Sequence, residues 1–318
     1  MELIIVTPVY NDWESLARLL VDLDHELGSA CAFLHVVAVN DGSPITPDWG
    51  VVPDRTAVHV VNLTTNQGHQ RAILIGLCYV AGLRHSARRI IVMDCDGEDR
   101  PADVPRLLTA SEATGNRVVF AGRRRRSEDV TFRLGYLVYR SMFRLFSGKR
   151  IRFGNFSCLP VDLLLRITND PNFWNHYSAA MIKSNVQYTV VQTDRGRRYA
   201  GRSHMNADAL ILHGMSALSL FVDRIVVKLF RFLAIVVLSM VVVLLTIIYV
   251  RTFTDLAIPG WASLLFAAVF NVVVTTAGFA FLVLLQQLNR RSQKPHPPVG
   301  FYKQLIYSVD HLGAEYDQ

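Results

Sequence analysis

Short apolar runs alternate with polar ends through the first 125 residues. The segments "ELIIVTPVY", "FLHVVAVNDGS", "AVHVVNL", "RIIVMDCD" and "RVVFAGRR" read as five buried strands. Between them, helices are predicted from about Trp13 to Leu27, from Gln70 to Leu83 and from Pro101 to Thr114. Continuously apolar strands separated by helices predict an α/β fold, a mostly parallel sheet covered on both faces. In such sheets ligands bind beyond the carboxyl ends of the strands. Each predicted strand ends in a polar string: "TPVYND", "NDGSP", "TTNQGHQ", "DCDGED", "GRRRR". One edge of the sheet is therefore expected to be a polar rim. Beyond Phe132 the pattern becomes irregular and aromatic. "FRLGYLVYRSMFRLFSG" predicts an amphipathic helix, "GNFSCLPVDLLLRI" a loop, short strand and helix, and "NVQYTVVQTDRGRRYAGRSHM" a strand with a basic loop.

The last third is different. Phe232 to Val250 carries no charge, and at 1.5 Å per residue it extends roughly 28 Å, about the thickness of a bilayer core. Trp261 to Leu285 is also uncharged. Either run alone could be a buried core helix; two in succession favour a membrane hairpin. The pattern divides the chain into a domain over 1–206, a juxtamembrane amphipathic helix over 207–231, two transmembrane helices with a short external hairpin over 232–288, and a tail over 289–318. The tail opens on "PHPPVG" and reads as loosely ordered. No basic leader precedes the first strand, so the first domain is expected in the cytoplasm. Lys228 and Arg231 before the first span, and Arg290, Arg291 and Lys294 after the second, place both termini there too. The predicted location is the inner (cytoplasmic) membrane.

A net charge of +7 fits nucleic acid, an anionic membrane or a phosphorylated substrate. The two spans favour the last two and leave nucleic acid unneeded. Four scattered cysteines form no CxxC pair, which argues against a zinc site or a disulfide framework.

The candidate chemistry lies in "IIVMDCDGEDRPAD". Helix capping accounts for Asp99 and Asp103 but not for Asp94 and Asp96. If the fourth strand continues that far, Asp94 and Asp96 point to one side and Cys95 to the other. Two carboxylates so placed can ligate Mg²⁺ or Mn²⁺, which would bind a nucleotide diphosphate in turn. His69 and His85 lack ligand spacing and read as structural. Trp174 reads as core packing before groove lining.

Five strings in order, "TPVYND", "NDGS", "NQGHQRAILIGL", "DCDGEDRP" and "RRYAGRSHM", together with the helix pair, resemble family 2 glycosyltransferases of the GT-A fold. The likeness is closest to the branch of dolichol-phosphate mannose synthase and the bacterial GtrB-type polyprenyl-phosphate glycosyltransferases. It implies transfer of one sugar from a nucleotide sugar, a UDP-hexose first, to a polyprenyl (undecaprenyl) phosphate at the cytoplasmic leaflet. Inversion, dependence on Mg²⁺ or Mn²⁺ and a homotetramer are implied with it. Pro8, Tyr10, Asp12, Asn40, Asp41, Asn66, Arg71, Asp94 and Asp96 would bind the donor, with Asp94 and Asp96 holding the metal. Arg124, Arg198, Arg202 and Ser203 would hold the acceptor phosphate; Asp96, Arg202 and Asn155 would be catalytic.

This chain departs from the branch at two places. Asn40 stands where an Asp is usual, and Asn155 stands where the branch has a candidate base. An amide has no useful basicity, but a polyprenyl phosphate is already an anion and can attack without losing a proton. Two other readings are a processive polysaccharide synthase and a degenerate scaffold. The first needs a Q-x-x-R-W string, which the chain lacks; "QQLNR" comes nearest.

Overall fold

The structure is a computed structural model that describes residues 1–45, 52–123, 141, 143–145, 148, 153–200, 214–254, 260–292 and 297–314. The chain divides into two compact units. The first contains the N-terminal α/β domain and the C-terminal segment; the second contains two long helices.

The first unit is built on an eight-stranded sheet: β1 (Glu2–Val9), β2 (Phe33–Asn40), β3 (Thr56–Leu63), β4 (Arg89–Val92), β5 (Val118–Arg123), β6 (Ser157–Pro160), β7 (Tyr188–Thr193) and β8 (Ile306–Gly313). The order across the sheet is β7-β5-β6-β4-β1-β2-β3-β8. β1 pairs in parallel with β2 and β4, β2 with β3, and β5 with β7. Among the described residues only β6 and β8 run antiparallel to their neighbours.

Strand alternation sends two apolar sets to opposite faces. Leu3, Ile5, Val36, Ala38, Val58 and Val60 pack with α1 (Trp13–Leu27) and α3 (Val104–Thr114) in one buried cluster. The opposite parity receives α2 (His69–Gly82): a Cβ on Gly76 would stand 2.6 Å from Val6 and 2.8 Å from Val39. Glycine there lets helix and sheet approach closely. Two short helices, α4 (Leu164–Asn169) and α5 (Tyr177–Lys183), pack against α2. The mostly parallel, two-sided α/β sheet is thus the one the hydrophobic pattern predicts.

Three expectations change. β4 stops at Val92, so Asp94 and Asp96 lie in a loop and not on the strand. The Asp94 N–H goes to the Asp99 side chain at 3.0 Å, which takes it from the ladder. The tail is ordered over 297–314: two 3₁₀ turns, Pro298–Gly300 and Tyr302–Leu305, deliver β8 onto the free edge of β3. An open edge of N–H and C=O groups is a template for such pairing. The juxtamembrane helix is not a separate element either. Residues 214–219 are helical, but from Val222 the chain is one helix with the first span. Nothing between Asp223 and Phe232 breaks a helix, and extension adds a hydrogen bond per residue. The amphipathic helix expected after Phe132 lies largely outside the described residues.

The second unit pairs α6 (Val222–Phe253) with α7 (Trp261–Ser292). Both are long and apolar enough to cross a membrane, and only 6% of each apolar window is buried. A core helix of a soluble domain would be mostly covered. The Asp223 carboxylate accepts a hydrogen bond from the Gln287 side chain, tying the polar ends of the pair together.

Candidate active site

Parallel strands bring their carboxyl ends to one edge. β1 delivers Tyr10, Asn11 and Asp12 there, β2 delivers Asn40 and Asp41, and β4 leads into Asp94. β6 runs the other way, so Asn155 arrives just before its start. β7 ends in the 195–198 loop. Strand direction alone gathers most of the predicted site residues.

Pro8 is buried in β1, opposite Val39, and Tyr10 beyond it is 43% exposed. Asp12 begins α1 without capping it through its side chain. The Asn11 N–H donates to Ser43 Oγ at 2.9 Å, and the Ser43 N–H donates to Asn40 Oδ1 at 3.0 Å. Buried Asp41 has both oxygens engaged: Oδ1 accepts from Gln67 N at 2.6 Å and Oδ2 from Gly68 N at 2.9 Å. Burial pushes its pKa up, and those two N–H groups with the charges of His69 and Arg71 oppose the rise. Asp41 therefore braces the loop before α2. Gly42 sits at φ +72, and a Cβ there would stand 2.8 Å from Asn66 N, so the loops after β2 and β3 touch. Arg71 lies over the Trp174 ring at 5.2 Å, and Trp174 also packs on Phe301. That agrees with a packing role for Trp174 and leaves the Arg71 guanidinium on an aromatic face.

The Asp94–Asp99 loop is latched to the segment after β7. Arg198 Nη2 donates to Asp96 Oδ2 at 2.5 Å, and Arg195 Nη2 donates to Glu98 Oε2 at 2.5 Å. The backbone joins in: Tyr199 N donates to Asp96 O and Gly196 N to Glu98 O, each at 2.9 Å. A Cβ on Gly196 would stand 2.0 Å from Gly97 O, so this contact requires glycine. Tyr199 is held in turn by α1, its hydroxyl donating to Asp22 and its carbonyl accepting from Arg18. Arg198, expected at the acceptor phosphate, thus pairs with the metal-candidate carboxylate.

His69 was read from the sequence as structural, yet it opens α2 beside the acidic loop. Its Nε2 lies 3.3 Å from Asp94 Oδ1 and 3.0 Å from Asn155 Nδ2. Desolvation opposes the imidazolium, but Asp94, then Asp99 and Asp96, raise the pKa above its ordinary value. One nitrogen cannot donate to Asp94 and accept from Asn155 together, so the two contacts compete. The Ser178 hydroxyl lies 3.1 Å from Asn155 Oδ1, but its one hydrogen goes to the nearer Gly154 carbonyl at 2.6 Å. The signal in the sequence was position: a histidine at a helix start on the polar rim.

The donor set has a definite chemistry. Burial raises the Asp96 pKa and the charge of Asp94 raises it further, while Glu98 N–H and Arg198 pull it back. A divalent cation would relieve that like-charge crowding. Among the described residues no group of three His, Cys, Asp or Glu is arranged to hold a metal. Two carboxylates suit Mg²⁺ or Mn²⁺ whose other ligands are phosphate oxygens and water. Asp94 and Asp96 fit a cation whose remaining ligands arrive with a nucleotide. Arg124, Arg202 and Ser203, expected at the acceptor phosphate, lie outside the described residues.

The polyprenol monophosphomannose synthase of Mycolicibacterium smegmatis is 32% identical over 35% of this chain and 41% of its own length. The undecaprenyl-phosphate mannosyltransferase of Micrococcus luteus is 34% identical over 39% and 51%. The chain therefore spans about half the length of these relatives. An uncharacterized glycosyltransferase of Bacillus subtilis is 24% identical over 82% of this chain and 81% of its own. Among solved structures, mannosyl-3-phosphoglycerate synthase from Rubrobacter xylanophilus superposes with a TM-score of 0.48 at 16% identity, covering 70% of this chain and 74% of that one. The family model for glycosyl transferase family 2 matches residues 4–166, which include β1 to β6 and both Asp94 and Asp96, and the chain belongs to that family.

Proposed function

We propose that the protein is a membrane-anchored glycosyltransferase that moves one sugar from a nucleotide sugar, a UDP-hexose first, to a polyprenyl phosphate. The observation that carries this reading is the presence, in one chain, of a latched Asp94–Asp96–Arg198 loop on a parallel-sheet edge and of two long helices left almost wholly uncovered. The first suits a charged nucleotide; the second suits a lipid-borne acceptor. The relatives named for polyprenol and undecaprenyl phosphate support the same choice.

Tyr10, Asn40, Asn66 and the loops braced by Asp41 form the nucleoside end in this reading. Asp94 and Asp96 would hold Mg²⁺ or Mn²⁺, and that cation would supply charge neutralisation for the leaving nucleoside diphosphate. Arg198, once released from Asp96, turns to the same diphosphate, where a planar fork gives two hydrogen bonds. Arg124, Arg202 and Ser203 remain assigned to the acceptor phosphate. The acceptor oxygen attacks as an anion, so Asn155 has no proton to remove; with His69 it positions the sugar or the acceptor. Inversion follows if that single displacement is the whole reaction. β8 belongs to the same sheet as β1, so the domain and the tail lie on one side, taken here as the cytoplasmic side of the inner membrane.

The test is a panel of radiolabelled nucleotide sugars incubated with the full chain, undecaprenyl phosphate and Mg²⁺ or Mn²⁺. Label should pass into a chloroform-extractable product from one donor. Label in a water-soluble polymer would favour the processive synthase, and no transfer from any donor would overturn the enzyme.

A further inference from the structure

Asn40 is the departure at the rim, and its amide is not free to turn. Asp310, on β8, has a carboxylate that only accepts hydrogen bonds when ionised. Asn62 Nδ2 lies 2.7 Å from Asp310 Oδ2 and 3.0 Å from Ser308 Oγ. The Asn62 amide must therefore turn its nitrogen toward β8 and its oxygen away. That oxygen accepts from Asn40 Nδ2 at 2.8 Å. Asn40 Oδ1 then faces the Ser43 N–H at 3.0 Å, and Ser43 Oγ accepts from Asn11 N at 2.9 Å. Sheet register supports the relay, since Asn40 is opposite Asn62 and Asn62 is opposite Ser308. The series runs between two groups of single role, the Asp310 carboxylate, which only accepts, and the Ser43 N–H, which only donates, and both set the same orientation of the Asn40 amide.

We infer that Asp310 and Asn62 are positioning residues for nucleobase recognition: the strand that follows the two long helices holds the Asn40 amide from the side opposite the Ser43 N–H and locks the orientation that this N–H sets. This rests on the reading of the rim as a nucleotide-sugar site. Within the relay one N–H of Asn40 is committed to Asn62, and the other is the donor left for a ligand. It suits a base edge that offers a carbonyl oxygen, as uracil and guanine do and adenine does not.

The experiment is calorimetry on the full chain in detergent with Mg²⁺, using UDP, GDP, ADP and pyrophosphate. Wild type should prefer UDP or GDP over ADP. Asp310→Ala should weaken the preferred nucleotide about fivefold, the scale of one net hydrogen bond, and leave ADP and pyrophosphate unchanged. Asn62→Leu removes the oxygen that accepts from Asn40 and should do the same. The double change N62D/D310N keeps an oxygen toward Asn40 and a donor for it on β8, and the preference should be retained. Unaltered preference in both single variants, parallel loss of pyrophosphate, or a lost preference in the double variant would overturn the relay alone. A wild type that binds pyrophosphate but no nucleoside diphosphate would overturn the nucleotide-sugar reading and the relay with it.

Discussion

Asp96 is 8% exposed, shares its loop with another carboxylate and is held by Arg198. Those three facts set its chemistry. Asp96→Asn should keep the fold, because an amide can still accept from Glu98 N–H. It should abolish cation-dependent nucleotide binding and lower turnover at least about a hundredfold, since an amide is a poor ligand for a hard cation. Excess EDTA should do the same to the unaltered protein, and full turnover in EDTA would remove the metal from the account. Arg198→Ala should act on the donor. Loss of one charged contact is worth on the order of 2 kcal/mol, roughly thirtyfold in nucleotide affinity, with the apparent KM for lipid unchanged. A raised lipid KM with normal nucleotide affinity would return Arg198 to the acceptor. At this scale the sequence carried residue types and spacing, which put Asp94 and Asp96 together just beyond the fourth strand. It did not carry partners. Arg198 meets Asp96 across 102 residues and Asn155 meets His69 across 86, and such meetings depend on strand order.

β8 shows what decides an element's visibility. Its alternation is weak, it follows a proline-rich stretch, and its partner β3 lies some 250 residues earlier, so no local signal announced it. β6 was legible as a strand, but not its direction, because direction is set by the connection that precedes it. β1 to β5 and their helices were legible because buried parallel strands leave long apolar runs between turn residues. The β3–β8 pairing also has a pH dependence. His59 on β3 is buried, and that burial lowers its pKa from 6.5 to about 4, with His311 on β8 and His35 on β2 adding to the shift. Tyr79 on α2 faces it from the other side, 3.1 Å from Nδ1. A base whose folded pKa is depressed contributes stability that is complete above 6.5 and is lost as pH falls toward 4. The contribution is about 3 kcal/mol. Thermal unfolding in detergent should therefore show a midpoint that drops between pH 6.5 and 4, and His59→Gln should flatten that slope. An equal drop in the variant would place the acid sensitivity elsewhere.

On the scale of the whole molecule, composition exposed the helix pair directly, while the sides on which the termini lie rested on a few basic residues. The sheet adds a constraint that charge counting lacks. β1 and β8 are strands of one sheet, so a chain that crosses a membrane between them must cross it twice and return. The remaining choice is which side. All four native cysteines are buried, so single introduced cysteines can be read against a low background. Thr254 ends α6 at the far end of the first span, and Tyr307 on β8 is 81% exposed. With a membrane-impermeant maleimide on intact spheroplasts, Thr254→Cys should label and Tyr307→Cys should not; lysis should make Tyr307→Cys reactive. The opposite pattern would put the sheet outside the cell, away from the cytoplasmic nucleotide sugars that the proposed reaction uses. Labelling of both positions in intact spheroplasts would mean that the two helices do not span at all, and the anchoring would then have to be sought in α6 and α7 lying along the membrane surface.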